Sequence, residues 1–446
     1  MGSPKALLIG VLQVLLVGES SSQPTSRDRA TLLAIKNAWG NPKQLASWDP
    51  AVNADHCNWT GVACEGAGGG RVVTGISLPS LNITGKVPGS VCDLTNLTRL
   101  DLSYNNLTGG FPGAALYPCS QLRFLDLSNN FFDQALPDDI SRLSPAMEHL
   151  NLSANYFRGA IPAAVAGLPA LKSLVLDSNK FTGAYPAAEI SKLAGLEQLT
   201  LAYNAFTPAP APLEFAKLTN LSYLWMSSMN MTGEIPTAYS NLANLTLLVL
   251  SDNNLSGEIP AWVWQHQRLE FLYLFNNSLT GELPRKVTAV NLRELDVSSN
   301  NLTGEIPEDF GGLGNLSLLF MYENQFTGTI PASITMLPNL REIWLFRNKL
   351  SGELPSKIWS IPKLTTLNIQ NNNSTGSLPA KITENIQRIV IGNNRFSGSF
   401  PTSAIGLQVF NAENNLLSGK LPPDMSRFPN LQRLLMSGNQ LTGSIP

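Results

Sequence analysis

LRELDVSSNNLTGEIP, residues 292–307, contains the reading frame of the whole chain. Leu295 and Val297 alternate with Glu294, Asp296 and Ser298, and Asn300 follows. The phrase returns as LTRLDLSYNNLTG at 97–109, LRFLDLSNNFF at 122–132 and LKSLVLDSNKFTG at 171–183. It returns again as LTLLVLSDNNLSGEIP at 245–260 and LQRLLMSGNQLTGSIP at 431–446. The full set of frame positions is 81, 105, 130, 155, 179, 204, 229, 253, 277, 300, 324, 348, 372, 394, 415 and 439, separated by 21 to 25 residues. Asparagine occupies all of them except 81 and 229, where Leu81 and Met229 stand.

A period of this length with the pattern LxxLxLxxNxLxG is the signature of leucine-rich repeats. One unit is too small to bury its own leucines, so units must stack and share one core. Alternation with period two makes x-L-x-L a short strand with one face inward and one outward. The expected fold is therefore an α/β solenoid, a right-handed superhelix with parallel strands on the concave face and a helical cap at the N-terminus. The asparagine sits where the chain leaves the strand. Its amide both donates and accepts, so it can satisfy backbone groups buried in the turn. At Leu81 and Met229 those bonds should be lost locally while the fold survives. Most units continue as L-[TS]-G-x-[IL]-P, where glycine permits a tight bend and proline ends strand pairing. After Phe206 the phrase gives way to TPAPAPLEF, and the convex side should be irregular there.

The unbroken period overrides the prior of about three domains for 446 residues. The expected organisation is a signal peptide over 1–23, a cap over 24–70 and about sixteen repeats over 71–446, the last incomplete. Charged residues make up 14% of the chain and the net charge is −2, so no basic field exists for nucleic acid or an anionic membrane. The N-terminus has Lys5, an apolar run from Ala6 to Val17 and then small polar residues, which reads as a secretory signal cut near Ser20–Gln23. No later stretch holds about 18 apolar residues.

Four cysteines suit an oxidising compartment. Cys57 and Cys64 frame CNWTGVAC and should pair; Cys92 and Cys119 lie in successive units and should pair on the flank. Zinc is disfavoured by that spacing. Sequons at Asn58, Asn82, Asn96, Asn106, Asn151, Asn220, Asn230, Asn244, Asn254, Asn276, Asn301, Asn315, Asn372 and Asn373 favour a glycosylated extracellular surface, although an Asn-rich repeat creates some by accident.

Upstream of the repeats, RDRATLLAIKNAWGNPKQLASWDPAVNADHCNWTGVAC resembles the N-terminal cap of plant leucine-rich-repeat receptor kinases. Leu32, Leu33, Ile35 and Trp39 form an apolar helical stripe able to cover the open first edge of the stack, with Trp48 and Trp59 as seals. FTPAPAPLEFAKLTNLSYLW and IQRIVIGNNRFSG add likeness to the HAESA-like branch of that family. The resemblance implies a single-pass receptor that binds a small secreted peptide on the inner face and recruits a co-receptor kinase of the somatic-embryogenesis type. It implies no cofactor. The chain departs from the pattern by stopping at Pro446 without a cap, span or kinase, as a fragment or truncated gene model would. Several such receptors carry an Arg-x-Arg pair for the peptide carboxylate; here the nearest strand has Arg388 but Val390.

The outward strand positions are readable without the family. From the seventh unit they turn aromatic, with Tyr223 and Trp225, then Phe271, Tyr273 and Phe275, then Phe320 and Tyr322, then Trp344 and Phe346. Strands ~4.8 Å apart put units seven to twelve across roughly 24 Å. An extended peptide of about seven or eight residues matches that span. Glu323, Glu342 and Arg347 add polar contacts. The competing reading is rings that pack on one another and merely stiffen the wall.

Enzyme readings fare poorly. Asp101 and Asp126 occupy equivalent strand positions at glycosidase-like spacing, but Asp is common filler in this phrase. His56, His149 and His266 fall in the cap, on a strand and on the convex side, too far apart for a triad. No phosphate loop or kinase motif is present. The expectation is therefore a non-enzymatic, extracellular peptide-sensing domain. The alternatives are a secreted inhibitor of microbial cell-wall enzymes, of the polygalacturonase-inhibitor type, or a kinase-less decoy.

Overall fold

The computed structural model describes residues 24–66 and 70–446. The expected signal peptide lies outside them. Helix α1 (Pro24–Ala38) leads into a pair of antiparallel strands, β1 (Val62–Glu65) and β2 (Val72–Ser77), which carry a bulge between Ala63 and Cys64. Every later strand of the sheet pairs in parallel, beginning with β2 against Arg99–Asp101, and the sheet reaches seventeen strands. Most strands are three residues long because only the x-L-x segment is extended before the asparagine turn. The inward side chains Leu224, Leu272, Leu319 and Ile343 have no exposure, and one continuous core runs through the stack.

The turn after each strand has a consistent construction. Asn105 Nδ2 donates to the carbonyls of Leu78 (2.8 Å), Leu102 (3.0 Å) and Ser103 (3.0 Å), and its Oδ1 accepts from Ile83 N at 2.9 Å. Asn300 repeats this with Leu274, Val297 and Ser298 as acceptors and Leu279 N as donor. The residue before each frame position takes a left-handed backbone, including Ala154 (φ 51°), Glu323 (φ 53°) and Arg347 (φ 54°). Side chains other than Gly and Asn resist that conformation. The amide ladder bridges the turn in most units; Ser80 (φ 60°) and Ser228 (φ 51°) keep the same backbone before Leu81 and Met229, where the next unit's Asn105 and Asn253 Oδ1 accept from the frame residue's N–H. Met229 itself supplies no amide, and Asn230 Nδ2 instead donates to Phe206 O at 2.9 Å.

A second ladder lies nine residues before the frame position. Asn220, Asn244, Asn339 and Asn430 each donate to a backbone carbonyl of the preceding unit, at 2.8–2.9 Å. The recurring phrase x-N-L that starts these units was its only trace in sequence.

On the convex side, short 3-10 turns such as Glu308–Gly312 and Ala332–Met336 follow the prolines. Gly304 has φ 78°, and a Cβ there would meet Glu282 Cγ at 2.8 Å, which explains glycine at this bend. The Pro-rich unit interrupts the flank. A six-stranded flank sheet ends at Ala205–Phe206, and a separate one starts at Ala209–Pro210. Tyr185 and Tyr239 hydroxyls donate to Pro210 O and Pro212 O, so the irregular segment is still pinned.

Helix α1 covers the first edge with Leu32, Ile35 and Trp39 buried; Leu33, read as part of that stripe, is only partly buried. Buried Asp28 accepts from Val73 N at 2.8 Å, which satisfies a donor of β2 opposite the bulge in β1. Trp48 and Trp59 stack with centroids 6.1 Å apart. Disulfides join Cys57 to Cys64 and Cys92 to Cys119. The second ties the 3-10 turn Gly89–Asp93 to the segment after helix Gly113–Leu116, on the convex layer rather than the flank.

Candidate functional site

Strand parity dictates which side chains can meet a ligand. Tyr223, Trp225, Phe271, Tyr273, Phe320 and Trp344 all flank fully buried residues in their strands, and all are half-buried on the outer face. Phe275, Tyr322 and Phe346 follow their strands and are also half-buried. None of these rings enters the interior.

The rings do not form one uninterrupted strip. Phe320 packs against Trp344 at 4.9 Å, and Tyr322 stacks on Phe346 at 4.4 Å. The pair Tyr223 and Trp225 is separated from the pair Phe271 and Tyr273 by Leu247 and Val249 of the intervening strand. Glu294 and Asp296 then separate Phe271 and Tyr273 from Leu318 and Phe320. Trp225 Nε1 donates to Ser227 Oγ (3.1 Å), whereas Trp344 Nε1 is buried without an acceptor.

Polar groups tie the patch together. The Tyr273 hydroxyl donates to the Glu294 carboxylate, and burial together with that carboxylate pushes the phenol well above its usual range. Asp296 is held above the ordinary carboxylate range by burial, against the lowering effect of bonds from Ser298. The Ser299 hydroxyl that donates to Glu323, and after it the Arg347 guanidinium that pairs with it, hold this carboxyl below its usual range. Among the described residues Glu342 and Arg388 form no ion pair within 4.0 Å; Glu342 is half-buried and Arg388 is exposed beside half-buried Val390 on its strand.

A second constellation on the same wall escaped the sequence reading. The Arg99 guanidinium lies 3.5 Å above the Phe124 ring, whose other face stacks on His149 at 4.3 Å. Burial lowers the His149 pKa. Successive members are 25 residues apart in sequence and share one strand position, which is the signal that would have found them.

Asp101 and Asp126 are register partners, but Asp101 accepts from Ser77 and Ser103, and Asp126 from Ser128 and Asn151. His266 Nδ1 accepts from Leu269 N, and Nε2 donates to Leu242 O. His56 lies near Cys57 and Cys64, whose sulfurs are bonded to one another and so are not free thiolate ligands. Among the sequons, Asn372 is a frame residue whose Nδ2 serves three carbonyls, while Asn373 is exposed.

The fold and its surface define a leucine-rich-repeat solenoid with a capped N-terminal edge. The family model described as Leucine rich repeat N-terminal domain matches residues 25–65. Leucine rich repeat models match 73–132, 145–206 and 290–350, and single repeats match 244–265, 268–288 and 430–446. The chain is similar to the crystal structure of the Arabidopsis receptor kinase HAESA in complex with the peptide hormone IDA and the co-receptor SERK1. The TM-score is 0.86 and the identity 31%, over 94% of this chain and 75% of that one. A TDR receptor structure gives a TM-score of 0.79 and 33% identity, over 83% of this chain and 64% of that one. The LRR receptor-like serine/threonine-protein kinase GSO2 of Arabidopsis thaliana is 37% identical over 131 residues, which is 28% of this chain and 10% of that protein. The chain belongs to the leucine-rich-repeat family of plant receptor-kinase ectodomains. Among the described residues no helix is long and apolar enough to cross a membrane.

Proposed function

We propose that this chain is the extracellular sensing portion of a receptor kinase, and that it binds a small secreted peptide in extended form along units seven to twelve. The observation that carries this reading is the set of half-exposed rings on the concave wall, from Tyr223 to Phe346, in a chain built like the peptide-bound HAESA ectodomain. Aromatic side chains supply large contact area at small entropic cost, and binding hot spots are enriched in them. Pre-packing of Tyr322 on Phe346 and of Phe320 on Trp344 lowers that cost further, because the rings are ordered before the ligand arrives. Glu342 and Arg347 would then fix the register of the peptide. Recruitment of a co-receptor kinase of the somatic-embryogenesis type, and placement at the outer side of the plasma membrane, follow as parts of the same proposal.

The experiment is a calorimetric screen of secreted plant peptides against the purified chain, repeated with Trp225→Ala and Tyr273→Ala. A peptide that binds the parent and loses affinity in both variants supports the reading. Unchanged affinity in both removes this patch. Inhibition of fungal polygalacturonases, with no peptide bound, replaces the receptor reading with the inhibitor one.

A further inference from the structure

The frame sorts the sequons into rows, and the rows differ in what their amides are doing. Asn82, Asn106, Asn230, Asn254, Asn301 and Asn373 each stand one residue after a frame position, and all are exposed on one flank. Asn96, Asn220, Asn244 and Asn315 stand nine residues before a frame position, on the other flank. Asn220 and Asn244 each donate to a single backbone carbonyl in the unit before, that of Ala194 and Thr219, and Asn315 donates to Val290 O at 3.2 Å with a longer contact to Asn291 Oδ1 at 3.5 Å. A glycosylated asparagine keeps one N–H, so one such bond is compatible with a sugar. Asn372 is different. Its Nδ2 donates to Leu345 O (2.9 Å), Ile369 O (3.0 Å) and Gln370 O (3.3 Å), and its Oδ1 accepts from Leu350 N (2.9 Å). Two protons are shared among three carbonyls, and the amide fills the turn between stacked units. A sugar there would remove one proton and need space that the preceding unit's Leu345 and its own Ile369 and Gln370 carbonyls occupy.

We propose that N-linked glycans line the two flanks at these ten asparagines, and that the folded chain carries none on Asn372 although its sequon is intact. The sugars would then shield both flanks and leave the aromatic part of the concave wall open. The inward-turned Ser374, buried at 1% exposure, completes the Asn372 sequon but is the middle residue of the Asn373 sequon. Glycosylation therefore has to be settled before this unit packs, and only chains that escaped modification at 372 can pack it.

The test is glycopeptide mapping of the chain secreted from plant cells behind a heterologous leader, with enzymatic release of the glycans in heavy-oxygen water. The result expected is modification at most of the ten flank asparagines, including Asn373, and none at Asn372. Fewer than half of the ten modified would overturn the proposal, as would a sugar on Asn372. Asn373→Gln keeps the Asn372 sequon and removes its competitor. Secreted, folded protein from this variant should still be bare at 372, with any 372-modified chains held inside the cell; secretion of folded chains glycosylated at 372 would overturn the exclusion. Secretion is imposed by the leader and peptide binding is measured separately, so failure here leaves the receptor reading standing.

Discussion

The Tyr322 ring lies 4.4 Å from the Phe346 ring, with 6° between their planes. The two residues belong to adjacent units and share one repeat position, so unit-to-unit spacing, not local sequence, brings them face to face. The stack shows that the two sequence readings of the wall do not exclude one another. Rings can brace each other and still offer their outer edges to a ligand.

Phe346→Ala separates those roles. Leu345 on the opposite face of the chain is fully buried and untouched by the change. An offset ring pair contributes about 0.5–1.5 kcal/mol, so the loss of unfolding free energy should stay within that range. Affinity for the peptide recovered by screening should fall about ten-fold or more, as expected for a central aromatic anchor. Calorimetry and denaturant titration on one preparation measure both. A large stability loss with unchanged affinity would assign the ring to bracing alone.

Asn300→Ala tests the ladder. Three carbonyls lose their donor, and Leu279 N loses its acceptor. Each buried group left unsatisfied costs about 1–3 kcal/mol, with partial relief from water. The net destabilisation should be on the order of 3 kcal/mol, visible in denaturant unfolding. Hydrogen exchange should accelerate first at Leu279 and neighbouring units, because a solenoid couples mainly nearest neighbours. A uniform change along the chain would contradict this.

His149 gives the chain a pH dependence with a definite sign. Burial lowers its folded pKa below the unfolded value of 6.5. The folded state therefore binds fewer protons than the unfolded state between the two values. The neutral ring's contribution is complete above 6.5 and is lost as pH falls through the folded pKa. Melting at pH 7.5 and pH 5.5 should show a larger acid penalty for the parent than for His149→Gln. Equal penalties would mean the imidazole does not titrate in that window.

The Cys92–Cys119 bond spans 27 residues at the start of the stack. Loop-closure entropy for that length is about 3–4 kcal/mol. The double replacement Cys92→Ala with Cys119→Ala should therefore loosen the first units most. Limited proteolysis should cut within the first units well before the remote ones; a cleavage pattern unchanged from the parent would show that helix α1 holds this edge without the bond.

Sequence alone determined the parity of every strand. Leu295 and Val297 alternate with polar residues, and a 24-residue step repeats that alternation, so inward leucines and outward aromatics were both legible. The asparagine turn was legible too, because one amide both donates and accepts. Other features came only from stacking. The left-handed residue before each frame position carries no consistent side chain, being Ala154 in one unit and Arg347 in another, so composition could not mark it. The Arg99, Phe124 and His149 stack, the interruption of the aromatic wall by Glu294 and Asp296, and the difference between Asn372 and its exposed neighbour Asn373 all depend on contacts between units some 24 residues apart. A repeat states where each side chain points, but what it meets is set by the neighbouring unit.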